Sequence, residues 1–152
     1  MNRRDIATDL FKQGYNCCQA VICAFDDVLK LDKEFLIKLS SAFGGGFART
    51  RNLCGAISAI GMVVGLVLEQ ETDPEKIKTT AYEVTQQLLN KFKEKNCYLN
   101  CGELLKNVKN ITSNYVPDAR TEEYYKKRPC VKFVGDSAEI LEQFLTEKGL
   151  LQ

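Results

Sequence analysis

The sequence predicts an all-α protein: one compact multi-helix domain over residues 1–152, with a glycine-rich helix buried at its centre. Three observations carry this. Apolar residues recur at spacings of three and four in segment after segment, and no stretch alternates with the period of two that a strand needs. Asn, Asp, Pro and Gly fall where those segments should start and stop. A chain of 152 residues, free of internal repeats and low-complexity tracts, is long enough to bury one core without disulfide staples.

The elements follow in order. Residues 4–13 set Ile6, Leu10 and Phe11 on one helical face and stop at Gly14, a residue suited to a left-handed cap. Asn16 caps a second helix over residues 17–29, apolar through Ala20, Val21, Ala24, Phe25 and Val28. Asp32 caps a short third helix through residue 39. Gly44, Gly45 and Gly46 make a tight turn, and Cys54 opens an apolar fourth helix that runs to Leu68. Gly55 with Ala59 and Gly61 with Gly65, each pair four apart, predict close approach of a neighbouring helix, and they leave room for a homodimer. Polar residues 69–73 end this helix, and Pro74 starts a fifth over residues 74–95 with Ile77, Ala81, Val84, Leu88 and Phe92 inward. Asn100 caps a turn that begins at Cys101, with Glu103 in the capping-box position. Residues 107–126 are polar and read as loop or short helical turns. Pro129 starts the last helix, whose inner stripe is Val131, Val134, Ala138, Leu141 and Leu145.

Composition excludes several functions. A net charge of +1 gives no electrostatic footprint for nucleic acid. The apolar run 54–68 is shorter than the roughly 20 residues a membrane-spanning helix needs. Histidine is absent, which removes Cys–His and Ser–His catalysis and histidine-ligated zinc or haem. With no paired-carboxylate pattern either, a hydrolase is not expected, and no substrate-converting residues stand out. Arg3 and Arg4 lead into Asp5, Asp9 and Lys12 rather than an apolar signal segment, and the cysteine count is odd; both point to a reducing, cytoplasmic setting. The glycine loop lacks both common phosphate-binding patterns, so it reads as a turn rather than an anion cradle. Lys126, Lys127 and Arg128 read as a solvated face.

The seven cysteines are the richest signal. Cys17, Cys54, Cys101 and Cys130 each fall at or beside a predicted helix N-terminus. Free N–H groups and the helix dipole stabilise an anion there, which for cysteine is the thiolate. Arg49 and Arg51 precede Cys54, and Lys126 to Arg128 precede Cys130, adding positive charge. Cys18 and Cys97 adjoin these and are substitute ligand candidates, while Cys23 lies mid-helix and reads as core. No Cys-x-x-Cys knuckle occurs; the short pairs are Cys17-Cys18 and Cys97-x-x-x-Cys101. The residues alone leave open an iron–sulfur cluster, a Cys₄ metal site such as zinc, or a thiol–disulfide relay without a metal.

Four boxes narrow the choice: Gly14-Tyr15-Asn16-Cys17-Cys18-Gln19-Ala20-Val21, the Gly44–Gly46 loop leading to Cys54-Gly55-Ala56, Asn100-Cys101-Gly102-Glu103-Leu104-Leu105, and Cys130 ahead of Ala138-Glu139-Ile140-Leu141. In their order and company they resemble the C_GCAxxG_C_C family over nearly the whole chain. Leu53 stands where the family name has glycine, and Ser58 and Ala59 stand where its closing glycine would be. The resemblance implies redox activity, with Cys17, Cys54, Cys101 and Cys130 as the signature residues, and a cluster like that of a related cytochrome-associated domain. The expectation is a cytoplasmic helical domain that holds an iron–sulfur cluster on these four cysteines and passes electrons to a partner protein. A thiol–disulfide oxidoreductase or redox sensor is the first alternative, and a Cys₄ zinc-stabilised interaction protein the second.

Overall fold

The computed structural model describes residues 1–68 and 72–152. Among these it has nine α-helices and no strand, only an isolated antiparallel bridge between Leu53 and Asn100. None of these helices is long and apolar enough to cross a membrane.

Helix α1 (Arg3–Lys12) begins where the Asn2 side chain accepts from the Asp5 N–H, and ends ahead of Gly14 at φ +105°. Its Ala7, Leu10 and Phe11 are buried against the last helix. Burying a large apolar side chain of this kind is worth about 1.5–3 kcal/mol. The expected helix 17–29 is instead two: α2 (Cys17–Cys23) and α3 (Asp26–Leu29). The break falls at buried Phe25, whose backbone leaves the helical region, and Asp26 accepts the next N–H with its own side chain. Arg3 donates to the Ala24 carbonyl at 2.8 Å and to Asp27 at 2.6 Å, so the break leaves that carbonyl satisfied. Helix α4 (Lys33–Ser40) starts at the Asp32 cap, and a 3₁₀ turn (Ser41–Phe43) leads into the glycine loop.

Helix α5 (Gly55–Val67) is the buried glycine-rich helix, with Ala56, Ile57, Ala59, Ile60, Val63 and Val64 in the core. It ends at Val67 with Leu68 as its C-cap, and part of the polar stretch expected to end it, residues 69–71, lies outside the described residues. The close-packing expectation holds at only one of its glycines. A side chain on Gly55 would strike the Cys17 sulfur and the Phe43 carbonyl, each at 2.5 Å, whereas Gly61 and Gly65 face open space. Helix α6 (Pro74–Asn96) packs beside α5, but of its stripe only Leu88 and Phe92 are fully buried. Two short helices, α7 (Cys101–Leu104) and α8 (Glu122–Lys127), flank a polar loop.

Helix α9 (Cys130–Glu147) is as central as α5: residues 133–138 are buried all round, between α1, α2, α5 and α6. Such a surround forces a polar solution for Asp136. Its carboxylate takes Arg4 at 2.5 Å, Lys132 at 2.8 Å and Asn96 at 3.1 Å, tying α1, α6 and α9 together. Burial pushes its pKa up, but these donors outweigh it and hold the carboxyl below its ordinary value. One core serves all the major helices, and one end of it is made of helix starts.

A cysteine-lined cavity at four helix starts

Cys17 is the first residue of α2. Asn16 and Gln19 form a reciprocal capping box in front of it: Asn16 Oδ1 accepts from the Gln19 N–H at 2.8 Å and Gln19 Oε1 from the Asn16 N–H at 2.9 Å. One residue further on, the helix turns Cys18 into the core, fully buried. Cys54 is the N-cap of α5, Cys101 the first residue of α7, and Cys130 the first of α9 behind Pro129. All four helix-start cysteines line one cavity of about 60 Å³. That is several times the space one water requires. Cys23 lies in the core, and Cys97 is exposed beyond the end of α6; neither Cys18, Cys23 nor Cys97 lines the cavity.

The glycine loop delivers the second and third of these cysteines. Gly45, Gly46, Phe47, Ala48, Arg49 and Arg51 all have φ between +52° and +71°. Four of them are not glycine, and each such residue in this region costs roughly 1–2 kcal/mol. The surroundings hold the conformation in place. Arg49 donates to the Asn114 carbonyl, to Asn114 Oδ1 at 2.8 Å and to Asp118 at 3.0 Å; Arg51 donates to the Thr112 carbonyl at 2.9 Å. The bridge then sets Cys54 beside Cys101: Cys54 N–H donates to the Leu99 carbonyl at 3.0 Å and Cys101 N–H to that of Asn52 at 2.6 Å. Glycine is required at position 46 by position as well as by φ, since a side chain there would meet Cys101 Cβ and Asn52 N at 2.6 Å.

Helix starts do not lower all four thiols alike. The Cys17 sulfur accepts from the Cys54 thiol and from the N–H groups of Gly45, Cys18 and Gly55; these outweigh burial and bring its pKa down to about 6. Its partner Cys54 is pushed well up by giving that hydrogen bond and by burial. Burial raises Cys101 although Arg51 Nη1 lies 3.7 Å from its sulfur, and burial with the Cys17 charge raises Cys130 to about 12. The expectation of four lowered thiols therefore gives way to one thiolate among three thiols. Desolvation exceeds what a helix start supplies at the other three.

The wall also holds Arg51, Arg120, Arg128 and Tyr124, two of which the sequence reading left aside. Arg120 donates to the Phe11 and Tyr15 carbonyls at 2.9 and 3.0 Å and lies over the Phe11 and Tyr124 rings. Arg128 is not part of a solvated face: only its neighbours Lys126 and Lys127 are exposed, while Arg128 pairs with Asp118 at 2.9 Å and covers Tyr124. Arg49 points to the 112–118 loop and does not line the cysteine cavity.

The donor set is all sulfur with a cationic surround, and Arg51 Nη2 is buried with no hydrogen-bond acceptor among the described residues. Both features suit an anionic, thiolate-ligated guest. A single ion fits less well: among the described residues no three Cys, Asp or Glu side chains gather closely enough to hold one metal ion. Such an ion would need sulfurs about 2.3 Å from one point.

In this all-helical scaffold, four helix starts bring Cys17, Cys54, Cys101 and Cys130 to one cavity. The chain belongs to the C_GCAxxG_C_C family, whose model, described as "Putative redox-active protein (C_GCAxxG_C_C)", matches residues 15–144. That span includes all four cavity cysteines. No curated protein and no solved structure matches the chain.

Proposed function

We propose that Cys17, Cys54, Cys101 and Cys130 form one redox centre that holds a small iron–sulfur cluster and exchanges electrons with a partner protein. The observation that carries this is their placement around one cavity, from four separate elements, with guanidinium groups in the wall. Bound there, a cluster would supply one-electron chemistry. The chain's own part is binding and tuning. The four sulfurs would be the ligands, and the buried Arg51 guanidinium, near Cys101, offsets their negative charge and favours the reduced state. The Gly45, Cys18 and Gly55 N–H groups act in the same direction at Cys17.

One observation favours a second reading. The Cys54 thiol already donates to Cys17, as an attacking thiolate and its partner would be arranged in a thiol–disulfide oxidoreductase or sensor without a cluster. The zinc-stabilised alternative has no comparable support in the geometry. Anoxic purification followed by a visible spectrum and assays of iron, sulfide and zinc separates the three. Iron with sulfide supports the cluster. Their absence after reconstitution, with loss of two thiols on mild oxidation, supports the Cys17–Cys54 pair. Stoichiometric zinc without iron would overturn both.

A further inference from the structure

A second, larger cavity of about 290 Å³ opens beside the first, between the glycine loop and residues 115–118. Arg49, Arg51, Arg120 and Arg128 line it, against a single carboxylate, Asp118. The Arg49, Arg51 and Arg128 side chains are only 12, 11 and 10% exposed, and all three turn to the same Asp118 oxygen, at 3.0, 4.0 and 2.9 Å. One oxygen cannot neutralise three guanidinium groups. A buried excess of positive charge is costly unless an anion completes it. Arg51 Nη2 is the sharpest case, buried and without a hydrogen bond among the described residues.

We infer that this outer cavity is a binding site for a small, multiply charged oxyanion, held next to the cysteine centre. Guanidinium forks match the paired oxygens of such groups, and the Asn16 side chain and Gly45 backbone complete the wall. Arg51, Arg120 and Arg128 line both cavities, so a bound oxyanion lies next to the cysteine cavity. Arg49 lines only the outer one, so a change at Arg49 reports on the outer cavity without touching the wall of the cysteine cavity.

Titration of the reduced, metal-free full chain with inorganic phosphate tests this, followed by calorimetry at constant ionic strength against chloride. Saturable binding of one phosphate per chain is expected. Ala42 is exposed on the wall of the cavity, so Ala42→Glu should weaken binding about tenfold through charge alone, while Ala42→Gln leaves it near wild type. Arg49→Gln should weaken it as well. Absence of saturable binding would overturn the inference, and so would equal affinity in the Ala42→Glu and Ala42→Gln proteins. Because the metal-free chain is used, either result leaves the cluster reading to be decided by its own assay.

Discussion

At the scale of single residues, Cys17 is the distinctive atom of the molecule. With its pKa lowered to about 6, its thiolate persists above that pH and is lost only as pH falls through it. In the metal-free protein, site-resolved alkylation of Cys17 should therefore rise through a midpoint near pH 6, whereas an ordinary thiol switches near about 8.5. A Cys17 midpoint at the ordinary value would contradict the hydrogen bonds assigned to it. Gly55 guards this geometry. In Gly55→Ala the new methyl must displace either the Cys17 sulfur or the Phe43 carbonyl, so a stability loss of about 1–3 kcal/mol should accompany a shift of the Cys17 midpoint toward the ordinary value. Helix starts at Cys17, Cys101 and Cys130 could be read from the adjacent Asn16, Asn100 and Pro129 because caps are local, and the start at Cys54 from the glycine turn before it and the apolar run after it. That three of these thiols are raised was not legible, since it depends on burial that only the assembled fold creates.

At the scale of elements, every long helix is legible in the sequence, and the breaks made where tertiary contacts override periodicity are not. Residues 17–29 carry one apolar face, yet the chain breaks at Phe25 because Arg3, far away in sequence, satisfies the freed Ala24 carbonyl. Arg128 looked like part of a basic surface run, but its acceptor, Asp118, sits in a loop whose fold follows from Arg49 and Arg51. Pairing of that kind leaves no periodic trace. Asp136 is a further element-scale device, on a helix whose apolar stripe gave no hint of a buried carboxylate. Asp136→Ala removes the acceptor of Arg4, Lys132 and Asn96. Arg4 and Lys132 retain access to water, so the expected loss is about 1–3 kcal/mol, measured by urea unfolding. The carboxyl is held below its ordinary value, so its contribution is present above about pH 4 and fades as pH falls further. The gap between wild type and variant should narrow accordingly; a gap unchanged down to pH 2 would contradict the ion-pair account.

At the scale of the whole molecule, two central helices, α5 and α9, and the short α2 point their N-terminal ends toward one region, and α7 is brought there by the bridge at Leu53 and Asn100. The fold thus spends its glycines and its left-handed loop on gathering sulfur at one place, with arginine on two sides. We propose that these four cysteines act together. Iron and sulfide per chain, measured after anoxic reconstitution of the wild type beside single Cys→Ser variants, test it most directly. Iron with matching sulfide in the wild type, sharply reduced in Cys17→Ser, Cys54→Ser, Cys101→Ser and Cys130→Ser but retained in Cys18→Ser and Cys97→Ser, is the predicted result. Iron that is absent from the wild type, or that survives unchanged in all four cavity variants, would contradict it.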